Sequence, residues 1–244
     1  MRYPIVFWDS GGTIFLSGNR PPNFGGCPTP AEVAETRTFR AECALQMFGY
    51  EVPGDLGEVI EHLDQELRLA NDLSYSVEVL ANGVFAHLGI EGRKEEALFL
   101  ADALNGPRYR AWLWEGVVGA LESLHEAGVL MGVIADTHLT GRMMRRVLTG
   151  VGLAGFFGPI ICSCDLGVQK PNGRVFETAL NALPGNHSTD TPVLYVGDNV
   201  VKDIGGATAF GWDAALHLTG NTQASDKAVL TFEDYNDLVK LVLE

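Results

Sequence analysis

Asp9 closes the apolar run Ile5-Val6-Phe7-Trp8 and is followed by Ser10-Gly11-Gly12-Thr13. A strand that ends in aspartate and turns through two glycines sets a carboxylate at a sheet edge. The amides that follow, at Gly12 and Thr13, are then placed to hold phosphate oxygens. Such a carboxylate can be a nucleophile that takes a phosphoryl group, or it can simply cap the turn. A second run, Gly132-Val133-Ile134-Ala135, ends in Asp136-Thr137 at the same kind of position, with His138 next. Asp136 belongs either to a phosphate site or to the cap of a helix starting near Leu139. Lys170-Pro171 follows the loop 165–169, where a lysine can neutralise both a nucleophile and a bound phosphate, or be solvated at a helix start. Val193-Leu194-Tyr195-Val196 then leads into Gly197-Asp198, with Asp203 in the helix that follows. Carboxylates that meet at one sheet edge suit a hard cation with oxygen ligands, namely magnesium, although Asp203 alone could be a helix cap.

These residues need a scaffold that gathers them. Short apolar runs at 4–8, 129–135, 159–163, 193–196 and 213–218 alternate with helical patterns, which predicts an α/β fold built on a doubly wound parallel sheet. The stretch from 17 to 110 breaks the alternation. It reads as helices near 31–48, 56–71, 76–88 and 93–104, with no strand pattern. We therefore expect a core domain of 1–16 and 111–244 and an inserted α-helical cap domain of 17–110, lying over the edge where open α/β sheets bind ligands. The segment from Phe232 to Leu243 is expected to be a closing helix.

Composition narrows the function classes. The chain has 244 residues, 46% of them hydrophobic, enough for a substantial core. Its 31 acidic residues against 17 Lys and Arg give a formal charge of −14, which disfavours nucleic acid and anionic lipid as partners. No run of eighteen apolar residues and no signal-peptide pattern is present, so a cytoplasmic protein is expected. Cys27, Cys43, Cys162 and Cys164 fit no zinc spacing and are expected to be reduced thiols.

Taken together, the segments around Asp9, Asp136, Lys170 and Asp198 resemble those of the haloacid dehalogenase superfamily, in its branch with a helical cap after the first strand. The resemblance covers nearly the whole chain and is strongest from Gly150 to Gly211. It implies a Rossmann-like core, with Asp9 as the nucleophile, Lys170 as the motif lysine, and Asp198 and Asp203 as magnesium ligands beside Asp9 and the Gly11 carbonyl. Two positions depart from the family pattern. Gly11 stands where phosphatases of the family carry an acid/base aspartate, and Ala135-Asp136 replaces a Ser/Thr-Asn pair, which leaves Thr137 to supply a hydroxyl to phosphate.

The resulting expectation is a magnesium-dependent phosphohydrolase that acts on a small phosphorylated metabolite through an aspartyl-phosphate. Loss of a positioned acid costs on the order of 10²–10⁴-fold for a leaving group that must be protonated, so Gly11 favours activated phosphates or an acid from elsewhere, such as His138. Dehalogenation needs no metal and fits the carboxylate set less well. Phosphonate cleavage through a Schiff base would need Lys94, the single lysine of the insertion, and a non-catalytic phosphometabolite-binding protein is the remaining alternative. Arg37, Arg40, Arg68, Arg108 and Arg110 are the basic residues of the insertion region considered for substrate contacts.

Overall fold

The computed structural model describes residues 1–16, 30–71, 75–105, 113–185, 187, 191–219 and 223–244. β1 (Ile5–Trp8) has parallel partners on both sides, β2 (Leu130–Ala135) and β4 (Val193–Gly197). β3 (Ile160–Cys162), β5 (Asp213–His217) and β6 (Leu230–Phe232) complete a sheet of order β3-β2-β1-β4-β5-β6. Every neighbouring pair is parallel. The chain winds outward from β1 to β3 and then returns to β4 on the other side. The switch point therefore falls between β1 and β4, where an open sheet of this kind leaves a crevice for ligands.

Parallel strands require crossovers, and helices supply them: α5 (Val117–Glu126) before β2, α6 (Gly141–Gly150) between β2 and β3, the short α7 (Ser163–Leu166) and α8 (Gly173–Asn181) between β3 and β4, and α9 (Gly206–Phe210) between β4 and β5. The pleat sorts the strand residues between the two faces. Val6 and Trp8 of β1 join Leu194 and Val196 of β4 in one apolar cluster, while Ile5 and Phe7 join Val193 and Tyr195 in the other. Both central strands are buried along their length, which is why they read as continuous apolar runs.

Between β1 and α5 the chain forms α1 (Pro30–Met47), α2 (Leu56–Asn71), α3 (Val77–His87) and α4 (Lys94–Asn105), close to the expected ranges. The four pack on one another. Their buried faces, including Leu56, Ile60, Leu80, Val84 and Leu100, are continuous with the Trp8 side of the sheet. Phe15 and Leu113 form an antiparallel bridge, so the chain returns beside the point where it departs. The proposed junctions at 16/17 and 110/111 involve residues 17, 110 and 111, outside the described ones, as are Cys27, Arg108 and Arg110.

The C-terminal expectation needs one correction. Leu230–Phe232 is strand β6, paired with Ala215–His217, and the closing helix α10 spans Tyr235–Leu243. Asp234 stops the helix from extending back to Phe232, because its side chain accepts from Asn236 N–H as the N-cap. Leu230-Thr231-Phe232 is broken by a polar residue, unlike the equally short but continuously apolar β3, Ile160-Ile161-Cys162. Among the described residues no helix is long and apolar enough to cross a membrane.

Candidate active site

β1 and β4 run in register with Trp8 beside Val196, and Asp9 N–H donates to Val196 O at 2.8 Å. Asp9 and Asp198 are thus carried out side by side at the switch point. After Asp198 the chain enters a π-helical turn (Val200–Gly205), whose first amides are capped by Asn199 Oδ1. Asp203 in this turn faces back: its Oδ2 accepts from Asn199 N–H at 2.9 Å, so the capping role considered for it is met in part. Ligand oxygens of Asp9, Asp198 and Asp203 all lie within 4.8 Å of one another.

Lys170 enters this cluster from the loop ahead of α8. It is 3% exposed, and its Nζ donates to Asp9 Oδ1 at 2.6 Å and Asp203 Oδ1 at 2.6 Å. Tyr195 Oη accepts from the same ammonium at 3.0 Å and lies 3.2 Å from Ile134 O. The alternative of a solvated lysine does not hold. Burial opposes the Lys170 charge, but the Asp203 and Asp9 carboxylates outweigh it and hold its pKa well above the usual lysine value.

Three carboxylates against one ammonium leave the cluster short of positive charge. Burial pushes Asp9 up to about 7, with Lys170 opposing and Asp203 adding to the rise. Burial and the neighbouring Asp203 push Asp198 up to about 6. A set of hard oxygen donors gathered this closely fits a small divalent cation such as magnesium.

Glycine is required twice for this closeness. A methyl at Gly12 would lie 2.1 Å from Asp198 Oδ2, and Gly12 also has a φ of +86°. A methyl at Gly197 would lie 2.4 Å from Asp203 Cγ. Gly11 is different. It is exposed, and a side chain there would meet nothing within 4 Å.

Two of the expected phosphate contacts are otherwise engaged. Gly12 N–H donates to Phe15 O at 2.7 Å and is not free for a ligand. Asp136 accepts from Lys170 N–H through Oδ1 at 3.0 Å, and its Oδ2 lies 3.2 Å from Lys202 Nζ. It therefore holds the backbone of Lys170 rather than an anion, which a carboxylate would repel. It does not cap a helix either, since α6 begins at Gly141 with Thr140 as its N-cap. Thr137 Oγ1 accepts from Leu139 N–H, and Thr13 is fully buried with its carbonyl accepting from Tyr235 Oη.

Other candidates are placed by their partners. Arg37 and Arg68 both bond Asp64, a buried carboxylate that also accepts from Tyr75, and Arg40 Nε donates to Ala103 O. Lys94 is exposed at the start of α4. His138 stacks on Tyr75 at 5.2 Å, and its carbonyl accepts from Val77 N–H, which ties the loop after β2 to the start of α3. Cys43, Cys162 and Cys164 are free thiols, as expected. Sequence reasoning missed Tyr195 and Lys202: the first reads as an apolar strand residue, and the second as an ordinary surface lysine.

A family model described as haloacid dehalogenase-like hydrolase matches residues 78–216, more than half of the chain. The chain belongs to the haloacid dehalogenase-like hydrolases. The matched segment contains Lys170, Asp198 and Asp203 but not Asp9, which the tertiary structure brings to them. Among curated members and relatives, the phosphoserine phosphatase of Thermus thermophilus is 31% identical over 120 residues, which is 49% of this chain and 46% of that protein. The glyceraldehyde 3-phosphate phosphatase of Methanocaldococcus jannaschii is 30% identical over 129 residues, 50% of this chain and 54% of that protein. The chain thus spans about half the length of the curated relatives it matches. A 2-haloacid dehalogenase structure from Pseudomonas syringae superposes with a TM-score of 0.64 at 20% identity, covering 100% of this chain and 99% of that one. A HAD phosphatase from Thermococcus onnurineus gives 0.57 at 19%, with 98% and 97% covered. At such identities the likeness is one of fold, and it confirms the Rossmann-like architecture of the family.

Proposed function

We propose that this haloacid dehalogenase-like hydrolase is a magnesium-dependent phosphohydrolase that acts on a small phosphorylated metabolite through an aspartyl-phosphate. The observation that carries the reading is the convergence on one buried ammonium, that of Lys170, of the β1 carboxylate and Asp203, with Asp198 beside them. The phosphatase names of the curated relatives support the same class of substrate. A dehalogenase would have no use for Asp198 and Asp203 as a cation site, and the exposure of Lys94 speaks against a buried Schiff-base lysine.

In this reading the Asp9 carboxylate, held through Oδ1 by Lys170, attacks phosphorus in line with the leaving oxygen. The bond from phosphorus to that oxygen breaks as the acyl-phosphate bond forms, and the leaving group departs with the electron pair. Water then adds to phosphorus, phosphate departs and the Asp9 carboxylate is restored. Lys170 offsets charge on the transferring group, and the Thr137 hydroxyl, in the loop after β2, would donate to a phosphate oxygen. A magnesium ion held by Asp9, Asp198, Asp203 and the Gly11 carbonyl would neutralise phosphate charge when bound.

With Gly11 in place of an acid, the natural leaving group is one that departs without protonation. The insertion, 17–110, would act as a cap that selects the substrate; the Tyr75–His138 stack and the Val77–His138 bond already join it to the site loop. The test is phosphate release with magnesium from acetyl phosphate, p-nitrophenyl phosphate and alkyl phosphates, by wild type and Asp9→Asn. Turnover of the activated phosphates that disappears in Asp9→Asn is the expected result. Undiminished turnover in Asp9→Asn removes Asp9 as the nucleophile, and no turnover of any ester by wild type refutes the activity.

A further inference from the structure

A buried histidine at the same edge of the sheet, one strand beyond Asp198, has no part in the proposed chemistry. His217 ends β5 and is 1% exposed, enclosed by Phe232 at 5.2 Å, Tyr235 at 5.0 Å and Trp114 edge-on at 4.8 Å. An apolar ring would fill such a cage at less desolvation cost. The polar contact inside it is specific: His217 Nδ1 lies 2.8 Å from Gly12 O. A carbonyl only accepts, so Nδ1 must carry the proton and donate. Tyr235 Oη, from α10, donates to the next carbonyl, that of Thr13.

Two successive carbonyls of the turn after Asp9 are therefore held by side chains more than 200 positions later in the chain. The turn has no slack at this point. The Gly12 backbone lies against Asp198 so closely that a methyl would overlap its carboxylate, and Gly12 N–H is tied to Phe15 O. Any rotation of the Gly12 peptide is transmitted to Asp198 on one side and, through Ser10 and Gly11, to Asp9 on the other.

We propose that His217, seconded by Tyr235, is a positioning residue that fixes the Ser10–Thr13 turn against Asp198 and so sets the spacing of the carboxylates that share the cation. It acts through the backbone and touches neither substrate nor cation. The kinetic consequence rests on the phosphohydrolase reading; the consequence for cation affinity does not.

The experiment compares wild type, His217→Phe, His217→Asn and Tyr235→Phe as full chains. His217→Phe keeps the aromatic packing and removes the donor. His217→Asn loses the ring but keeps an N–H near the position of Nδ1. The Mn²⁺ dissociation constant is read from the EPR signal of free Mn²⁺, kcat and KM from p-nitrophenyl phosphate, and the melting temperature without metal. Loss of a group that orients metal ligands typically costs about 10–100-fold in metal affinity, so His217→Phe is expected to weaken Mn²⁺ binding by at least about tenfold. Its kcat falls with little change in KM, and His217→Asn recovers most of both losses despite a lower melting temperature. If His217→Phe does not fold, Tyr235→Phe, which removes one oxygen, carries the test with a smaller loss in the same direction. Wild-type Mn²⁺ affinity in both folded Phe variants overturns the proposal, as does an Asn variant no better than Phe. Wild-type protein that binds no Mn²⁺ overturns it together with the cation site. Affinity losses in the Phe variants of a protein that hydrolyses no phosphate ester support the positioning role and refute the phosphohydrolase reading alone.

Discussion

If the proposed phosphohydrolase reading holds, substituting Gly11 by aspartate should add cleavage of alkyl phosphates to that of activated phosphates. The site admits the change. Gly11 is exposed, has no positive φ, and a Cβ built on it meets nothing within 4 Å. Neither a clash nor left-handed strain is introduced. Replacing a glycine at an unstrained position stabilises by about 0.4–1 kcal/mol through the unfolded chain. A further carboxylate near Asp9, Asp198 and Asp203 opposes this by a comparable amount, so the melting temperature should stay within roughly 4 °C of wild type. The gain lies in the barrier. A positioned general acid contributes about 10²–10⁴-fold, equivalent to about 2.7–5.4 kcal/mol, where the leaving group is an alkoxide. Where the leaving group is acetate the gain is close to nothing. The assay is kcat/KM for glycerol phosphate and acetyl phosphate at saturating magnesium, across pH. Gly11→Asp should raise the first at least about 100-fold and leave the second within about threefold, with the alkyl rate falling as pH rises through the new acid's pKa. An unchanged alkyl rate in a folded, magnesium-binding variant refutes the reasoning, because another group must then already supply the proton. A parallel rise with acetyl phosphate refutes it as well, since that would report altered binding rather than proton transfer.

Lys170→Met removes the ammonium shared by Asp9 and Asp203 and should destabilise by about 3–5 kcal/mol in denaturant titrations with chelator present. Asp9 sits above the ordinary carboxylate value, so its stabilising effect exists at low pH and is lost as pH rises through about 7; without Lys170 it rises further, and the deficit should widen between pH 5 and 8. Gly12→Ala places a methyl 2.1 Å from Asp198 Oδ2 at a φ of +86°, and should weaken Mn²⁺ binding and lower stability by about 1–3 kcal/mol or more, as read by EPR and thermal unfolding. Asp64 is held at about 2: burial opposes its charge, but bonds from Tyr75, Arg37 and Arg68 outweigh it. Its contribution is therefore present above about pH 4 and lost as pH falls toward 2, so Asp64→Asn should lower stability at pH 7 by about 2 kcal/mol and flatten that acid limb.

Much of this molecule was legible because parallel strands buried on both faces leave continuous apolar runs, and their polar terminators mark the sheet's functional edge. Ile5–Trp8 with Asp9, and Val193–Val196 with Gly197-Asp198, are signals of this kind, and the structure sets the two tips side by side. The helices of the insertion were legible too, because 31–104 holds runs of helix-forming residues with no strand alternation. Strand β6 was not, since Leu230-Thr231-Phe232 forms no continuous apolar run, and its existence depends on the neighbour it pairs with. Asp136 misled for a related reason. Its position at a strand tip suggested a ligand contact, but a backbone amide 34 residues later and the Lys202 ammonium claim its two oxygens.

What the sequence determined by itself was the set of chemical groups, the strands that end in them and the order in which they occur. The spacing of the carboxylates, the burial of Lys170 among them, and the grip of His217 and Tyr235 on the Asp9 turn were decided only in three dimensions. Each joins residues tens to hundreds of positions apart, and no local pattern records which distant side chain will satisfy a given buried carbonyl or charge.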